Sequence, residues 1–303
     1  MFAWTARGAS GETVAFLPFR VETRRPLSLR RAVVLGDGTF DSDYLEPPIR
    51  RGLEEPIVDA WLDAISARRG VEVAMLFGLP EGSPTLAALR TALARRRTPS
   101  RSAEVLCATA ALPQGFDAYV AGLKPRMRSK VRSAMRGASE RGASMRWCHD
   151  PTTLPAHLDG LYALHTKRWI ASGKPGSFGD EKRRRFYGAV APALLAGGRL
   201  RFARLELEGR AIAYQLGAVA AGAYYQIQEG FDPADAALRP GVALRGFVIR
   251  SLVDEGVSRY DFLEGFSEHK ADWGGLPRKC FAVAFPLRSL RARAIYGLRR
   301  FLR

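Results

Sequence analysis

Cysteine is scarce in this sequence, and the cysteines present form no motif. The 303 residues include three of them, Cys107, Cys148 and Cys280, and no two have the spacing of a CxxC pair. This excludes a disulfide framework and a cysteine-based zinc site, so we expect no bound metal and a reducing, cytoplasmic setting. With 47% hydrophobic and 25% charged residues, the composition is that of a folded globular protein.

Long apolar segments are also missing. Residues 1–10 lack the basic start and apolar stretch of a secretory signal, which again predicts a cytoplasmic protein. The longest uncharged run covers residues 211–228, but it contains Gln215, Gln226 and a turn at Gly222. That run predicts a β-hairpin rather than a membrane-spanning helix.

Acidic residues are few in the second half of the chain. Residues 1–120 carry 15 Lys and Arg against 14 Asp and Glu, whereas residues 121–303 carry 32 against 16. The excess favours a negatively charged partner: a nucleic acid, an anionic lipid surface, or a phosphate-bearing cofactor such as coenzyme A. Arginine supplies 40 of the 47 cations, so the codon bias of a GC-rich genome explains the excess equally well.

The order of predicted elements favours an α/β (α+β) fold with a repeated plan. The pattern predicts β-β-β-α-β-α-β in residues 1–110. In residues 143–287 it predicts a strand, two helices, three strands joined by tight glycine turns, a helix, a strand, a short helix and a last strand. We therefore expect tandem domains, each a mixed, mostly antiparallel sheet flanked by helices.

Residues 116–142 are the most cationic internal segment. Leu123, Met127, Val131 and Met135 recur at every fourth position, and the residues between them are largely Lys and Arg. The spacing predicts one helix with a narrow apolar stripe and a broad basic face.

The C-terminal residues 288–303 contain six arginines and no acid. Leu287, Leu290, Ala294 and Leu298 recur on one helical face. A basic amphipathic helix of this kind can rest on an anionic membrane surface. Docking of that face on the protein's own core is the alternative.

A helix start at Arg239-Pro240-Gly241 has the features of an anion site. Pro240 suits the first helical turn, where its missing N–H costs nothing, and Gly241 lets a phosphate approach the backbone. Arg239 adds charge to the positive end of the helix dipole. A pyrophosphate group fits such a start, and an ordinary proline-started helix is the alternative.

Motifs between residues 165 and 273 follow one another in a distinctive order. They are His165-x-x-Arg168-Trp169, Phe178, Leu205-x-x-x-Gly209-x-x-Ile212-Ala213, Gly230-Phe231-Asp232-Pro233, Pro240-Gly241-x-x-Leu244, and Asp261-Phe262-Leu263-x-Gly265 with Lys270 and Trp273. This order resembles the GNAT-superfamily acyltransferases of the CelD-like type, named for cellulose and exopolysaccharide gene clusters and kin to the Fem aminoacyltransferases. Two positions depart from the family: Phe266 stands where relatives often have an acid, and His269 where they often have tyrosine.

The resemblance implies tandem GNAT-like domains with the active site in the second. We expect residues 1–110 to form a truncated supporting domain, because the chain starts at a hairpin rather than at the strand and helices that usually precede it. Residues 111–142 would be connecting helices, residues 143–287 the catalytic domain and residues 288–303 the amphipathic helix. The implied reaction is N-acyl transfer, with acetyl-CoA as donor and an amine of an envelope or polysaccharide-related acceptor.

The requirements of this reaction select the candidate site residues. The acyl carbonyl oxygen must be polarised, which the family does with a backbone N–H where two strands splay, here in residues 225–229. The amine must lose a proton, and His269 is the candidate whose ordinary pKa lies nearest neutrality. The candidate catalytic residues are Glu229, Asp261, His269 and Lys270; the donor-binding residues are Arg239, Pro240, Gly241 and Leu244; and the acceptor-binding residues are His165, Arg168, Trp169, Tyr225 and Glu264, which is also a candidate base.

Each of these residues also has a structural interpretation. Asp261 can brace the neighbouring loop, Glu264 can be solvated, and Lys270 can pair with a nearby surface acid. His165 and Trp169 share a helical face and can simply pack in the core.

Two other functions stay open on the sequence. A Fem-like transferase would take its donor from aminoacyl-tRNA, which the basic second half would suit. A catalytically inactive scaffold or RNA-binding protein is the other alternative. The C-terminal helix adds the expectation of peripheral contact with the inner face of a membrane.

Overall fold

The strands and helices of the computed structural model, which describes residues 1–24, 28–36 and 41–298, follow the predicted order. The strands are β1 (Phe2–Arg7), β2 (Thr13–Arg24), β3 (Leu29–Val34), β4 (Val73–Pro80), β5 (Arg101–Ala111), β6 (Ser144–Trp147), β7 (Leu200–Leu207), β8 (Arg210–Ala220), β9 (Ala223–Phe231), β10 (Arg259–Glu264) and β11 (Leu276–Pro286). The helices are α1 (Glu54–Ala67), α2 (Pro84–Arg95), α3 (Phe116–Gly122), α4 (Pro125–Glu140), α5 (Leu154–Ala171), α6 (Glu181–Ala196), α7 (Pro240–Asp254), α8 (Glu268–Asp272) and α9 (Leu290–Leu298).

The chain divides into two compact units whose bounds differ from the sequence-based ones. The first unit is Met1–Cys107 with Arg278–Arg303, and the second is Ala108–Pro277. Helices α3 and α4, expected as a separate connection, lie inside the second unit. Most of β11, expected to close the second domain, lies in the first unit because it pairs antiparallel with β4.

The first unit is a mixed sheet in the order β1-β2-β3-β4-β11, in which β3 and β4 run parallel and the other neighbouring pairs antiparallel. Its core centres on Trp61 of α1. The Trp61 ring stacks on Phe19 at 5.5 Å and meets the edge of Phe285 at 6.0 Å. Phe285 belongs to β11, so this last strand completes the apolar core of the first unit.

The second unit has the sheet order β10-β9-β8-β7-β6, with β9 and β10 parallel and the other pairs antiparallel. Glycines with positive φ, Gly209 and Gly222, close the two hairpins. α4 and α7 pack closely, since a Cβ on Gly246 would lie 2.6 Å from Met135 Sδ. The predicted plan of mixed, mostly antiparallel sheets flanked by helices is confirmed in both units.

The segment 116–142 forms two helices, not the single helix that its spacing predicted. α3 ends at Gly122, and Lys124 has an extended conformation with ψ of 143°. Pro125 explains the break, because a proline disfavours helical conformation in the residue before it. The apolar stripe itself is confirmed: Met127, Val131 and Met135 are buried.

The C-terminal helix buries a different face from the predicted one. Leu290 is 84% exposed, whereas Ala292 is fully buried against Leu29 and Val73 of the first unit. The helix thus docks on the core, which was the alternative interpretation. Residues 299–303, with three of its arginines, lie outside the described residues.

Candidate functional site

β9 and β10 part within the second unit. Their parallel pairing ends where Asp261 meets Tyr225, although β9 continues to Phe231. Leu263 turns β10 aside: its φ is +60°, and its N–H donates to Asp261 Oδ1 at 2.9 Å. The β9 backbone beyond Tyr225 therefore borders a gap between the two strands. Residues 225–229, in which the sequence predicted an exposed backbone N–H, lie along this gap. Asp261, with 0% exposure, has the loop-bracing role.

Side chains from four elements meet at this gap and form what we call the Glu229 cluster: Arg168 of α5, Gln226 and Glu229 of β9, Arg245 of α7 and His269 of α8. Arg168 Nη1 donates to Glu229 Oε1 at 3.1 Å, and Arg245 Nη2 donates to Glu229 Oε2. Gln226 Nε2 also donates to Glu229 Oε2, at 3.0 Å. Arg245 Nη1 lies 2.8 Å from His269 Nε2. The cluster joins two predicted catalytic residues to one predicted acceptor residue.

Glu229 is an anion held by cations rather than a proton acceptor. Burial by itself would raise the pKa of Glu229, but the charges of Arg245 and Arg168 outweigh it and lower the pKa to about 2. A carboxyl group with so low a pKa takes up a proton poorly at neutral pH. The predicted role of Glu229 as general base is therefore replaced by that of a counter-ion.

The lowered pKa of Glu229 links stability to pH. The charged form stabilises the fold fully above the ordinary carboxyl pKa, and this contribution is lost as pH falls towards 2. We expect the difference in unfolding free energy between wild type and Glu229→Gln to shrink by about 2 kcal/mol from pH 6 to pH 3. Urea unfolding of both proteins at each pH measures it. A difference that does not change with pH would contradict the assignment of Glu229 as a counter-ion.

A chain of neutral side chains continues the Glu229 cluster into the core. Gln215, which is 1% exposed, donates Nε2 to the hydroxyls of Tyr224 and Tyr260 at 3.0 and 2.9 Å. Tyr260 in turn donates to Gln226 Oε1 at 2.9 Å. These bonds orient the Gln226 amide so that its Nε2 points at Glu229.

Lys270 is bound to the backbone at the end of β10. Its Nζ donates to the carbonyl oxygens of Phe262, Leu263 and Glu264, the first at 2.7 Å and the last at 2.6 Å. Lys270, one of the candidate catalytic residues, holds the turn between β10 and α8 through these bonds. The Glu264 side chain is exposed beside it.

The predicted acceptor-binding residues of α5 divide into a packed pair, the buried His165 and the half-buried Trp169, and one residue at the gap, Arg168. His165 is 4% exposed, accepts a hydrogen bond from Trp169 Nε1 at 2.8 Å and meets the Phe178 ring edge-on. These contacts agree with core packing. Arg168, in contrast, joins the Glu229 cluster. α5 also lies very close to β9, since a Cβ on Gly230 would lie only 2.6 Å from the backbone nitrogen of His165.

The start of α7 offers fewer free amides than a helix start usually does. The Arg239 carbonyl accepts from the N–H groups of both Val242 and Ala243, at 2.9 and 3.0 Å. Pro240 has no N–H. Among the described residues, the N–H of Gly241 is thus the first-turn amide left without a partner.

The side chains at this helix start differ in their access to a ligand. Arg239 is exposed, and its Nη1 lies 3.4 Å from Ser133 Oγ of α4. Gly241 is half-buried, and a Cβ on it would lie 3.0 Å from Phe231 Cδ1. Leu244 is 1% exposed and packs in the core, so it is not available to bind a donor as the sequence predicted.

Arg245 and Gln226 are the members of the Glu229 cluster that sequence reasoning missed. Arg245 is 3% exposed and stands between buried residues, Leu244 and Gly246, in a helix whose interior is otherwise apolar. A charged residue at a buried helical position needs a counter-ion. That conflict was the signal in the sequence that could have identified Arg245.

The part of the chain that the structure describes contains no group of three His, Cys, Asp or Glu side chains suited to a metal ion. Among the same residues, none of the helices combines the length and the apolar character needed to cross a bilayer.

Comparisons with known proteins connect this geometry to a family. Residues 125–271 match the model described as acetyltransferase (GNAT) domain. Among solved structures, FemX has a TM-score of 0.67 at 13% identity, covering 98% of this chain and 90% of that one. L-PGS from Bacillus licheniformis has a TM-score of 0.60 at 15% identity, covering 99% and 90%. A comparison with curated proteins found no significant match.

Another similar structure is the C-terminal domain of a putative lysylphosphatidylglycerol synthetase from Agrobacterium fabrum, with a TM-score of 0.60 at 14% identity and coverage of 99% and 88%. At these identities the likeness establishes the fold and not the substrate. The family match covers α4 to α8 and includes the gap between β9 and β10. Residues 125–271, within the second unit, thus match an acetyltransferase (GNAT) domain, and the chain has a fold similar to that of FemX.

Proposed function

We propose that the protein transfers an acyl group from acyl-coenzyme A, with acetyl-CoA as the expected donor, to an amine. The observation that carries this proposal is the gap where β9 and β10 part, bordered by β9 backbone and followed in the chain by the start of α7. A thioester carbonyl lying in such a gap can accept a hydrogen bond from a β9 backbone N–H, which stabilises the charge that develops on its oxygen.

The reaction requires one nucleophilic substitution at the acyl carbon. The amine nitrogen attacks the thioester carbonyl carbon, the C–N bond forms and the C–S bond breaks. The proton that the amine loses ends on the departing CoA thiolate. Glu229 is excluded as the base by its pKa of about 2, and Asp261 is buried and bonded to Leu263. Glu264, exposed at the end of β10, is the carboxylate that we assign as the base that takes the proton from the amine.

Two cations support a phosphate-bearing donor at the start of α7. Arg239 reaches across to Ser133 of α4. Lys130 lies one helical turn before Ser133 and is close enough to the Glu229 cluster to act on the pKa of His269. Together with the Gly241 N–H, these charges favour the pyrophosphate of coenzyme A.

The acceptor class follows from the sequence resemblance to CelD-like proteins. We propose an amine of an envelope or polysaccharide-related acceptor, met in the cytoplasm or at the inner face of the membrane. Arg168 of the Glu229 cluster and the adjacent Trp169 would line its path. The first unit would support the second unit and take no part in the chemistry.

Replacing Gly241 tests the donor site. Gly241→Asp adds a negative charge where the pyrophosphate would lie, so we expect coenzyme A affinity to fall at least tenfold, about 1.4 kcal/mol. Because any Cβ here presses on Phe231, Gly241→Ala is the matched control and should lose much less. Isothermal titration of CoA into each variant measures both. Equal losses in the two variants would mean that the site is elsewhere.

A Fem-like transfer from aminoacyl-tRNA is the second candidate. It is favoured by the likeness of the fold to FemX over nearly the whole chain and by the exposed cations of the α4 region. These cations are Arg126, Lys130, Arg132, Arg136 and Arg141. An RNA-binding scaffold without activity would use the same surface.

Salt dependence separates these candidates. Binding of tRNA to a basic surface releases counter-ions, so its affinity should fall steeply between 50 and 200 mM salt, roughly 10³-fold or more for six or more phosphate contacts. Binding of CoA in the gap should fall much less. Titrations of CoA and of tRNA at both salt concentrations make the comparison. Tight, salt-sensitive tRNA binding without CoA binding would favour the second candidate.

A further inference from the structure

The contact between Arg245 and His269 determines which nitrogen of the imidazole carries hydrogen. An arginine side chain has donors and no acceptor, and it keeps its charge. Arg245 Nη1 lies 2.8 Å from His269 Nε2, so the arginine donates and the Nε2 atom accepts. An accepting Nε2 carries no hydrogen. In the neutral ring the hydrogen is then on Nδ1.

Arg245 is itself held in place from several sides. Its side chain is 4% exposed, its second terminal nitrogen is bonded to Glu229, and its guanidinium lies 5.1 Å from the centre of the Trp273 ring. A buried guanidinium anchored in this way cannot swing away to leave Nε2 free. The geometry of the Glu229 cluster thus determines which ring nitrogen of His269 carries the hydrogen, as well as where the ring lies.

The net effect of the charges around His269 also favours the neutral ring. Partial burial lowers the pKa of His269, and the positive charges of Arg245, Arg168 and Lys130 outweigh the opposing effect of Glu229. Above its lowered pKa the ring is neutral. A neutral imidazole whose Nε2 already accepts a bond has no free lone pair with which to take a proton from an amine.

We propose that Arg245 is a positioning residue that holds His269 as the neutral Nδ1–H form, so that His269 donates a hydrogen bond to the carbonyl oxygen of the acyl group rather than acting as a base. This rests on the proposed function for the identity of the ligand. His269 is an exposed residue at the start of α8, beside the gap, and its Nδ1 makes no hydrogen bond to any side chain or backbone group described. The Nδ1–H group of His269 is therefore available to donate a hydrogen bond to a ligand.

The state of His269 can be measured without any ligand. The chain has four histidines, so long-range ¹H–¹⁵N spectra of the labelled protein are simple, and His269→Gln identifies the signals that belong to His269. We expect a protonated-type Nδ1 and an unprotonated-type Nε2 at pH 7, with titration below the ordinary histidine pKa. A hydrogen on Nε2 or a charged ring at pH 7 would overturn the proposal, whatever the protein's activity.

The hydrogen bond from His269 Nδ1 to the acyl carbonyl is tested by comparing the binding of acetyl-CoA with that of CoA, which lacks the acyl carbonyl. We expect His269→Ala to weaken acetyl-CoA binding about threefold to tenfold more than CoA binding, the usual range for one lost hydrogen bond. His269→Gln keeps both an acceptor for Arg245 and an amide donor, so it should retain most of the difference. His149→Ala, at an exposed residue of the turn after β6, is the control and should change neither affinity.

The outcomes separate this inference from the proposed function. Equal losses of acetyl-CoA and CoA affinity in His269→Ala would overturn the donor role. Failure of wild type to bind either compound would overturn the proposed function, and the NMR spectra would still decide the state of His269.

Discussion

Replacing Arg245 with methionine is expected to lower the free energy of unfolding by about 3 to 5 kcal/mol, the usual cost of removing one partner from a buried ion pair. The remaining Glu229 would keep Arg168 as a cationic partner and Gln226 as a neutral one, while the place left by Arg245, which is 3% exposed, would hold no charge. The cost is dominated by the loss of one of the two cations that compensate the Glu229 carboxylate, since the methionine fills much of the same volume. Denaturant unfolding at pH 7 measures the change.

Two further variants show whether the charge is the cause. Arg250→Met changes an exposed arginine of the same helix and should alter stability by less than about 0.5 kcal/mol. Arg245→Met combined with Glu229→Gln removes both charges and should regain a large part of the loss. If the double variant is as unstable as the sum of the single ones, the two residues are not coupled as the structure shows.

Lys270→Ala is expected to lower the turnover of acyl transfer about a hundredfold and to change CoA affinity less than threefold. Lys270 Nζ bonds the carbonyl oxygens of Phe262, Leu263 and Glu264, and His269 directly precedes it in the chain. Without these bonds the turn shifts, and a misplacement of about 1 Å near reacting groups costs about 10²-fold in rate. The start of α7, which would bind the donor phosphates, is not held by Lys270.

The measurement is kcat and the CoA dissociation constant of each variant, with the acceptor that wild type uses. Lys279→Ala is the matched control, because Lys279 is a surface lysine of β11 paired with Glu104. It should leave turnover unchanged. Full turnover in Lys270→Ala would show that the turn keeps its shape without the lysine and would remove Lys270 from the mechanism.

Local patterns predicted most elements of the second unit correctly because their signals are local. Gly209 and Gly222 have the positive φ that tight hairpin turns need, and Pro240 begins α7 where its fixed φ suits a helix. The same local rules were misapplied at Pro125, where the every-fourth-residue spacing was given more weight than a proline.

The Glu229 cluster could be predicted only in part. Glu229 and His269 were selected because their side chains can titrate, but their roles depend on Arg245, which is 16 residues from Glu229 and 24 from His269. An ion pair at such separations leaves no periodic trace in a sequence. The pKa of Glu229 and the form of the His269 ring are properties of the assembled cluster.

The amino-acid sequence was sufficient for the element order, the mixed and mostly antiparallel sheets, and the resemblance of residues 165–273 to GNAT acyltransferases, because turns, caps and apolar periodicity act between near neighbours. The folded chain was needed to establish that β11 completes the first unit, that α9 buries Ala292 and not Leu290, and that Arg245 holds both Glu229 and His269. These outcomes depend on which distant surfaces are removed from water together, and burial between distant segments is what sets a charge pair's strength.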